Sequence, residues 1–201
     1  MEQEATTARM TLGEAALYVA GFSLLSLAFS FVPSGWLKGL TAAGCSRALS
    51  FLGFVSEWGV TQGEAYLTLM GEAGPVTVTI IRECTAINVF GVVSSLVIPL
   101  RGGRISRKLY SLVFSAAFLF LLNVSRIMLT VLLTGFSFPP FSWFFTNPTL
   151  EFYHYPISFL YGVIGVALLV LMINQWMLPE LGDTLLGLST AVWDYVKSVK
   201  K

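Results

Sequence analysis

The sequence predicts an all-α polytopic membrane protein with about four to five transmembrane helices and a short extracytoplasmic β-hairpin-like segment. Three observations predict it. Hydrophobic residues make up 55% of the 201 residues and charged residues only 11%, against about 25% charged in a typical soluble domain. The mean hydropathy is +0.76. Several apolar runs are long enough to cross about 30 Å of hydrocarbon at about 1.5 Å per residue. The same composition excludes other classes. Twelve basic and 11 acidic residues leave a net charge of +1, too weak a field to attract phosphate, so no nucleic-acid partner is expected. Two cysteines are too few for a disulfide-stapled module.

The chain reads as a single membrane-embedded domain. Residues 14–32 form the first apolar run, closed by Pro33. The leader before it is acidic and no small-x-small site follows, so a retained span is expected rather than a cleaved signal peptide. Residues 36–56 are apolar but carry Lys38 and Arg47. A mid-helix arginine costs about 2.5–3.5 kcal/mol on insertion scales, which favours an interfacial helix over a spanning one. Residues 57–83 contain Glu57, Glu64 and Glu72 and no spanning run. Within them, 75–82 alternate small polar and β-branched residues, as a short strand or hairpin would.

Residues 84–100 form a second transmembrane helix ending near Pro99, and 109–134 a third. Between them, 101–108 hold Arg101, Arg104, Arg107 and Lys108 and no acid. Residues 136–156 are rich in aromatics and proline, which suits the headgroup layer. Residues 157–178 are the last span. The tail, 179–201, has Leu185, Leu188, Val192 and Val196 at helical spacing and ends in lysines, as an interfacial amphipathic helix does. The positive-inside rule places the 101–108 loop and the 179–201 tail in the cytoplasm, so 57–83 and 136–156 are extracytoplasmic.

The polar residues then fall into one layer. Arg126 is the only charge between Leu109 and Leu150, and Asn123, three residues earlier, shares its helix face. Arg126 lies 18 residues past Lys108, so about 27 Å along a helix. Cys84 lies 17 residues before Arg101, so about 25 Å from the same edge. His154, the sole histidine, sits at the outer end of the last span. Singly, each has a structural reading: a small hydrophobe, a snorkelling arginine, an aromatic-belt anchor. Glu83 suits an ion pair with Arg82 or Arg126, and Cys45 suits packing. Together, Cys84, His154 and Arg126 supply a nucleophile, a general acid/base and an anion stabiliser. Cys84 at a helix start, next to Arg82, has the positive surroundings that favour a thiolate. No cluster has metal-ligand spacing, and no P-loop, dinucleotide or nucleophile-elbow motif is present. No metal or cofactor is expected.

Three motifs, in order, resemble the exosortase/archaeosortase family of prokaryotic membrane cysteine transpeptidases. Glu83-Cys84-Thr85-Ala86-Ile87 resembles its cysteine motif, with Ala86 where the family usually has glycine. Asn123-Val-Ser-Arg126 resembles its Asn-x-x-Arg motif, and His154 ahead of Gly162 its histidine motif. The resemblance implies a multi-pass protein of the prokaryotic plasma membrane with its site at the extracytoplasmic face. Its substrates are exported proteins ending in a short motif, a transmembrane helix and a basic tail. It cleaves them through a Cys84 thioester and passes the acyl group to an acceptor such as a membrane lipid. His154 is the acid/base, Arg126 stabilises the oxyanion, Asn123 orients Arg126, and Arg82 and Glu83 support. The competing readings are a catalytically inactive scaffold or export-complex subunit of the same fold, and a small transporter. A transporter expects charges at mid-membrane, which the clear spans lack.

Overall fold

The computed structural model describes residues 10–72, 74–137 and 149–199. Residues 138–148 of the aromatic segment and the two terminal lysines lie outside them. The described chain is mostly helical: α1 (Leu12–Ser30), α2 (Gly35–Phe51), strands β1 (Ser56–Thr61), β2 (Glu64–Gly71) and β3 (Gly74–Ile80), a 3-10 turn (Arg82–Thr85), α3 (Ile87–Val97), α4 (Ile105–Gly135), α5 (Leu150–Met172) continued by a π turn (Ile173–Met177), and α6 (Glu180–Val199). Three helical stretches, α1, α4 and Leu150–Met177, are long and apolar enough to cross a membrane. α3 is apolar but has 11 residues, about 16 Å of helix, which is short of the hydrocarbon thickness.

Two compact units emerge. The first combines Met1–Phe31, Gly91–Ser115 and Leu169–Lys201. Thr11 caps α1: its hydroxyl accepts from the Glu14 amide at 3.3 Å, and Glu14 Oε2 accepts from the Thr11 amide at 3.1 Å, a reciprocal box that satisfies two orphan donors. α1 and α3 run antiparallel. Phe29 lies against Gly91, whose missing side chain lets the helices close, and Gly21 lies against Pro99. Tyr18 donates to the Leu96 carbonyl at 2.9 Å, and Arg101 pairs with Glu14 at 2.7 Å. The chain between α1 and α3 therefore leaves and returns at the end of α1 opposite Glu14. Gly102 and Gly103, both at positive φ, turn the chain against Leu178 and Glu180 at the start of α6.

The second unit combines Val32–Phe90 and Ala116–Leu168. A three-stranded antiparallel sheet of order β1-β2-β3 replaces the single hairpin expected from the sequence. The β1–β2 turn places Gln62 at φ +54 and Gly63 at φ +82, the paired left-handed conformation of a two-residue hairpin turn. Alternation sends Ala65, Leu67 and Leu69 of β2 inward with Ile80 of β3. They meet Ala42, Cys45 and Leu49 of α2 and Val124, Ile127 and Val131 of α4. α2 is thus a 17-residue helix laid on the sheet, tied to β2 by the 2.7 Å Lys38–Glu64 pair. It is not among the three candidate spans.

The β2–β3 end of the sheet touches α4 backbone to backbone. The Glu72 amide donates to the Gly135 carbonyl at 3.1 Å, and a Cβ on Gly71 would collide with that same carbonyl group. Gly71→Ala should therefore destabilise the folded state by about 1–3 kcal/mol, because the atom it meets is backbone. Gly13→Ala, which meets open space, should not. Thermal unfolding of the detergent-solubilised variants measures both, and an unshifted Gly71→Ala midpoint would contradict the contact.

Candidate functional site

β3 ends at Ile80, and after six intervening residues the chain must run as α3. The transition is made by the Arg82–Thr85 turn and then by Ala86 at φ +57, ψ 8. That left-handed conformation is one that glycine adopts freely and a Cβ resists. It explains the glycine expected there: the backbone, not the chemistry, asks for it. Ala86 nevertheless holds the glycine geometry, and its carbonyl accepts the first α3 bond, from Phe90, at 2.9 Å.

Cys84 is the third residue of the 3-10 turn, not the opening residue of a helix, and α3 starts three residues later. It is 6% exposed and faces the sheet–α2–α4 core. Asn123 differs from its expected role too. Its side-chain amide donates to the Cys84 backbone carbonyl and so holds the turn rather than Arg126. Arg82 braces the same turn from the other side: Nε donates to Asn88 at 3.2 Å and Nη1 to the Val32 carbonyl at 2.6 Å. Thr85 closes the turn by donating to the Arg82 carbonyl at 2.6 Å.

Arg126, one turn beyond Asn123, is half-buried. Its Nε is buried and has no hydrogen-bond partner among the described residues. It lines a cavity of about 60 Å³ with Asn123, Glu83, Ala86, Tyr161 and Gly162. Leu119, Leu122, Asn123 and Arg126 share that wall, as their i, i+3, i+4, i+7 spacing requires. Glu83 makes no ion pair among the described residues and faces the cavity instead.

α5 begins at Leu150 rather than at 157, so His154 lies within a helix that also contains Pro156. The sequence ended the loop at the proline, but here the helix continues through it. His154 is half-buried, with Nε2 3.4 Å from the Ser158 hydroxyl. His154, Ser158 and Tyr161 recur every three to four residues, on one face, and Gly165 further along meets Leu122 of α4. The structure thus gathers Cys84, Asn123, Arg126 and His154 in one unit. No hydrogen bond joins the Cys84 sulfur to Arg126 or His154 among the described residues, and neither Cys84 nor His154 lines the cavity itself. Tyr161 was missed by sequence reasoning. Its signal was a polar-tipped aromatic two turns after the histidine.

Residues 5–147 match the transmembrane exosortase family (Exosortase_EpsH). This covers well over half of the chain, and the chain belongs to that family. The matched region takes in Cys84, Asn123 and Arg126 and stops before His154. No curated protein and no solved structure matches the chain.

Two substitutions test the turn. Asn123→Ala strips the donor from a buried carbonyl and should cost about 1–3 kcal/mol. Ala86→Gly relieves the left-handed strain and should stabilise by about 1 kcal/mol. Unfolding midpoints in detergent report both. A destabilised Ala86→Gly would mean that the methyl packs better than its backbone suffers.

Proposed function

We propose that the protein is a membrane cysteine transpeptidase that cleaves exported proteins at a C-terminal sorting signal. The observation that carries this reading is the Asn123 bond to the Cys84 carbonyl, with Arg126 one turn along the same helix facing a cavity beside it. A family of membrane exosortases supplies the setting. The Cys84 thiolate attacks the scissile carbonyl, and the electron pair moves onto oxygen. Arg126, whose Nε has no hydrogen-bond partner among the described residues, stabilises that oxyanion. His154 donates a proton to the leaving amine as the tetrahedral intermediate collapses to a thioester. His154 then takes a proton from the acceptor nucleophile, such as a membrane lipid, which attacks the thioester and expels the Cys84 thiolate. Asn123 and Arg82 position the turn that carries the nucleophile.

The site belongs at the extracytoplasmic face. Four basic residues within 101–108 favour the cytoplasm. The Glu14–Arg101 pair and the packing of Gly103 on Leu178 and Glu180 support placing the starts of α1 and α6 with that loop. An alanine where the family usually has glycine would favour the inactive-scaffold reading, but Ala86 keeps the conformation that glycine would adopt, so the substitution gives no reason for a dead site.

Two experiments test the proposal. In a cell carrying a substrate that ends in a motif, an apolar helix and a basic tail, Cys84→Ala should abolish processing with expression unchanged. Arg126→Lys and His154→Ala should each lower the rate by about 10²-fold or more. Undiminished processing by Cys84→Ala would leave the scaffold reading in front. A cysteine placed at Arg104 should react with a membrane-impermeant maleimide only after the cell is opened, and labelling of intact cells would reverse the topology.

A further inference from the structure

The proposed mechanism leaves one buried nucleophilic group unused, Cys45. It is fully buried in α2, and α2 packs directly on the Arg82–Thr85 turn. Both cysteines are free thiols of one core cluster. They are also anchored to consecutive residues of α4. The Cys45 thiol donates to the Val124 carbonyl at 3.8 Å, while the Cys84 carbonyl accepts from Asn123. The chain has only these two cysteines, and the fold has brought residues 39 apart in sequence into one buried core cluster.

We propose that Cys45 is a resolving thiol for Cys84, so that a peroxide converts the pair into an internal disulfide instead of destroying the nucleophile. The Cys84 thiolate attacks hydrogen peroxide; a sulfur–oxygen bond forms, the peroxide bond breaks, and hydroxide leaves. The Cys45 sulfur then attacks the sulfenic acid sulfur. A sulfur–sulfur bond forms, the sulfur–oxygen bond breaks, and the departing hydroxide takes the Cys45 proton as water. The two electrons lost by the thiols are those gained by the peroxide. A dithiol reverses the change by exchange, whereas a sulfinic acid at Cys84 would be permanent.

Reactivity is the obvious objection, and a magnitude answers it. Burial above all, with the neighbouring Cys84 sulfur, pushes the Cys45 thiol up to about 12, against a pull from Arg126. At neutral pH about one such thiol in 10⁵ is ionised. Effective molarities of well-oriented intramolecular reactions reach about 10⁵–10⁸ M. Where the two sulfurs meet in line, proximity of that order offsets the lost thiolate, and the same burial keeps Cys45 from reacting with outside electrophiles. The disulfide rests on the shared core of the two cysteines. Its effect on activity rests on the proposed role of Cys84.

The test uses the full-length protein in detergent, treated with hydrogen peroxide and digested without reduction. The expected result is a disulfide between the Cys45 and Cys84 peptides that dithiothreitol reverses. In Cys45→Ala, Cys84 should instead accumulate as sulfinic and sulfonic acid, with processing activity normal before oxidation and unrecovered after it. The wild-type peptide map needs no variant, so a misfolded Cys45→Ala does not blunt it. Wild-type protein in which Cys84 over-oxidises while Cys45 stays alkylatable would overturn the proposal, as would protein in which neither residue changes. Linked peptides with undiminished processing would uphold the disulfide and overturn the nucleophile role of Cys84.

Discussion

The hydrogen bond from the Asn123 side chain to the Cys84 carbonyl fixes what the rest of the second unit must do. The chain has to leave a strand and enter a helix within six residues. Backbone polar groups buried there need partners, because an unpaired one costs as much as a lost hydrogen bond or more. The helix α4 supplies the partner, so α4 must approach the end of β3 closely. Close approach explains the glycines. Gly44 meets the Phe120 ring, and Gly71 meets Gly135. The sheet, α2 and α4 then share one core, with Cys84 at its edge.

Arg126 follows from the same constraint. Once Asn123 is committed to the turn, the residue three positions on projects from the same helix face, into the space that α5 and Ala86 leave open. The cavity is small because apolar side chains from α3, α4 and α5 close it. Its polar wall is the part of the helix surface already turned toward the turn that carries Cys84. Arg82 completes the frame, donating to the start of α3 and to the segment following α1.

Much of this was legible in the sequence, and the failures have physical causes. The apolar runs of α1, α4 and α5 announced themselves by length, and Cys84, Arg126 and His154 by their rarity. The sheet was half read. β3 alternates threonine with valine, which is visible, but β2 reads Glu-Ala-Tyr-Leu-Thr-Leu-Met-Gly, where both faces carry apolar residues and the period of two is hidden. Its turn uses Gln62-Gly63, weaker punctuation than Asn-Gly. Pro156 misplaced the start of α5, because a proline signals a helix boundary more often than an interior position. Asn123 was assigned to its helical neighbour because sequence spacing sees only local partners, and its real partner is 39 residues away.

The core beneath Cys84 is assembled from two stretches, Val32–Phe90 and Ala116–Leu168, separated by a segment that belongs to the other unit. A ribosome delivers these in order. The strands and the cysteine turn emerge first, with their apolar face uncovered and the Cys84 carbonyl still waiting for Asn123. Only when α4 has been synthesised does the turn acquire its clamp. The order of synthesis therefore leaves the cysteine turn unclamped until Asn123, 39 residues later, has arrived.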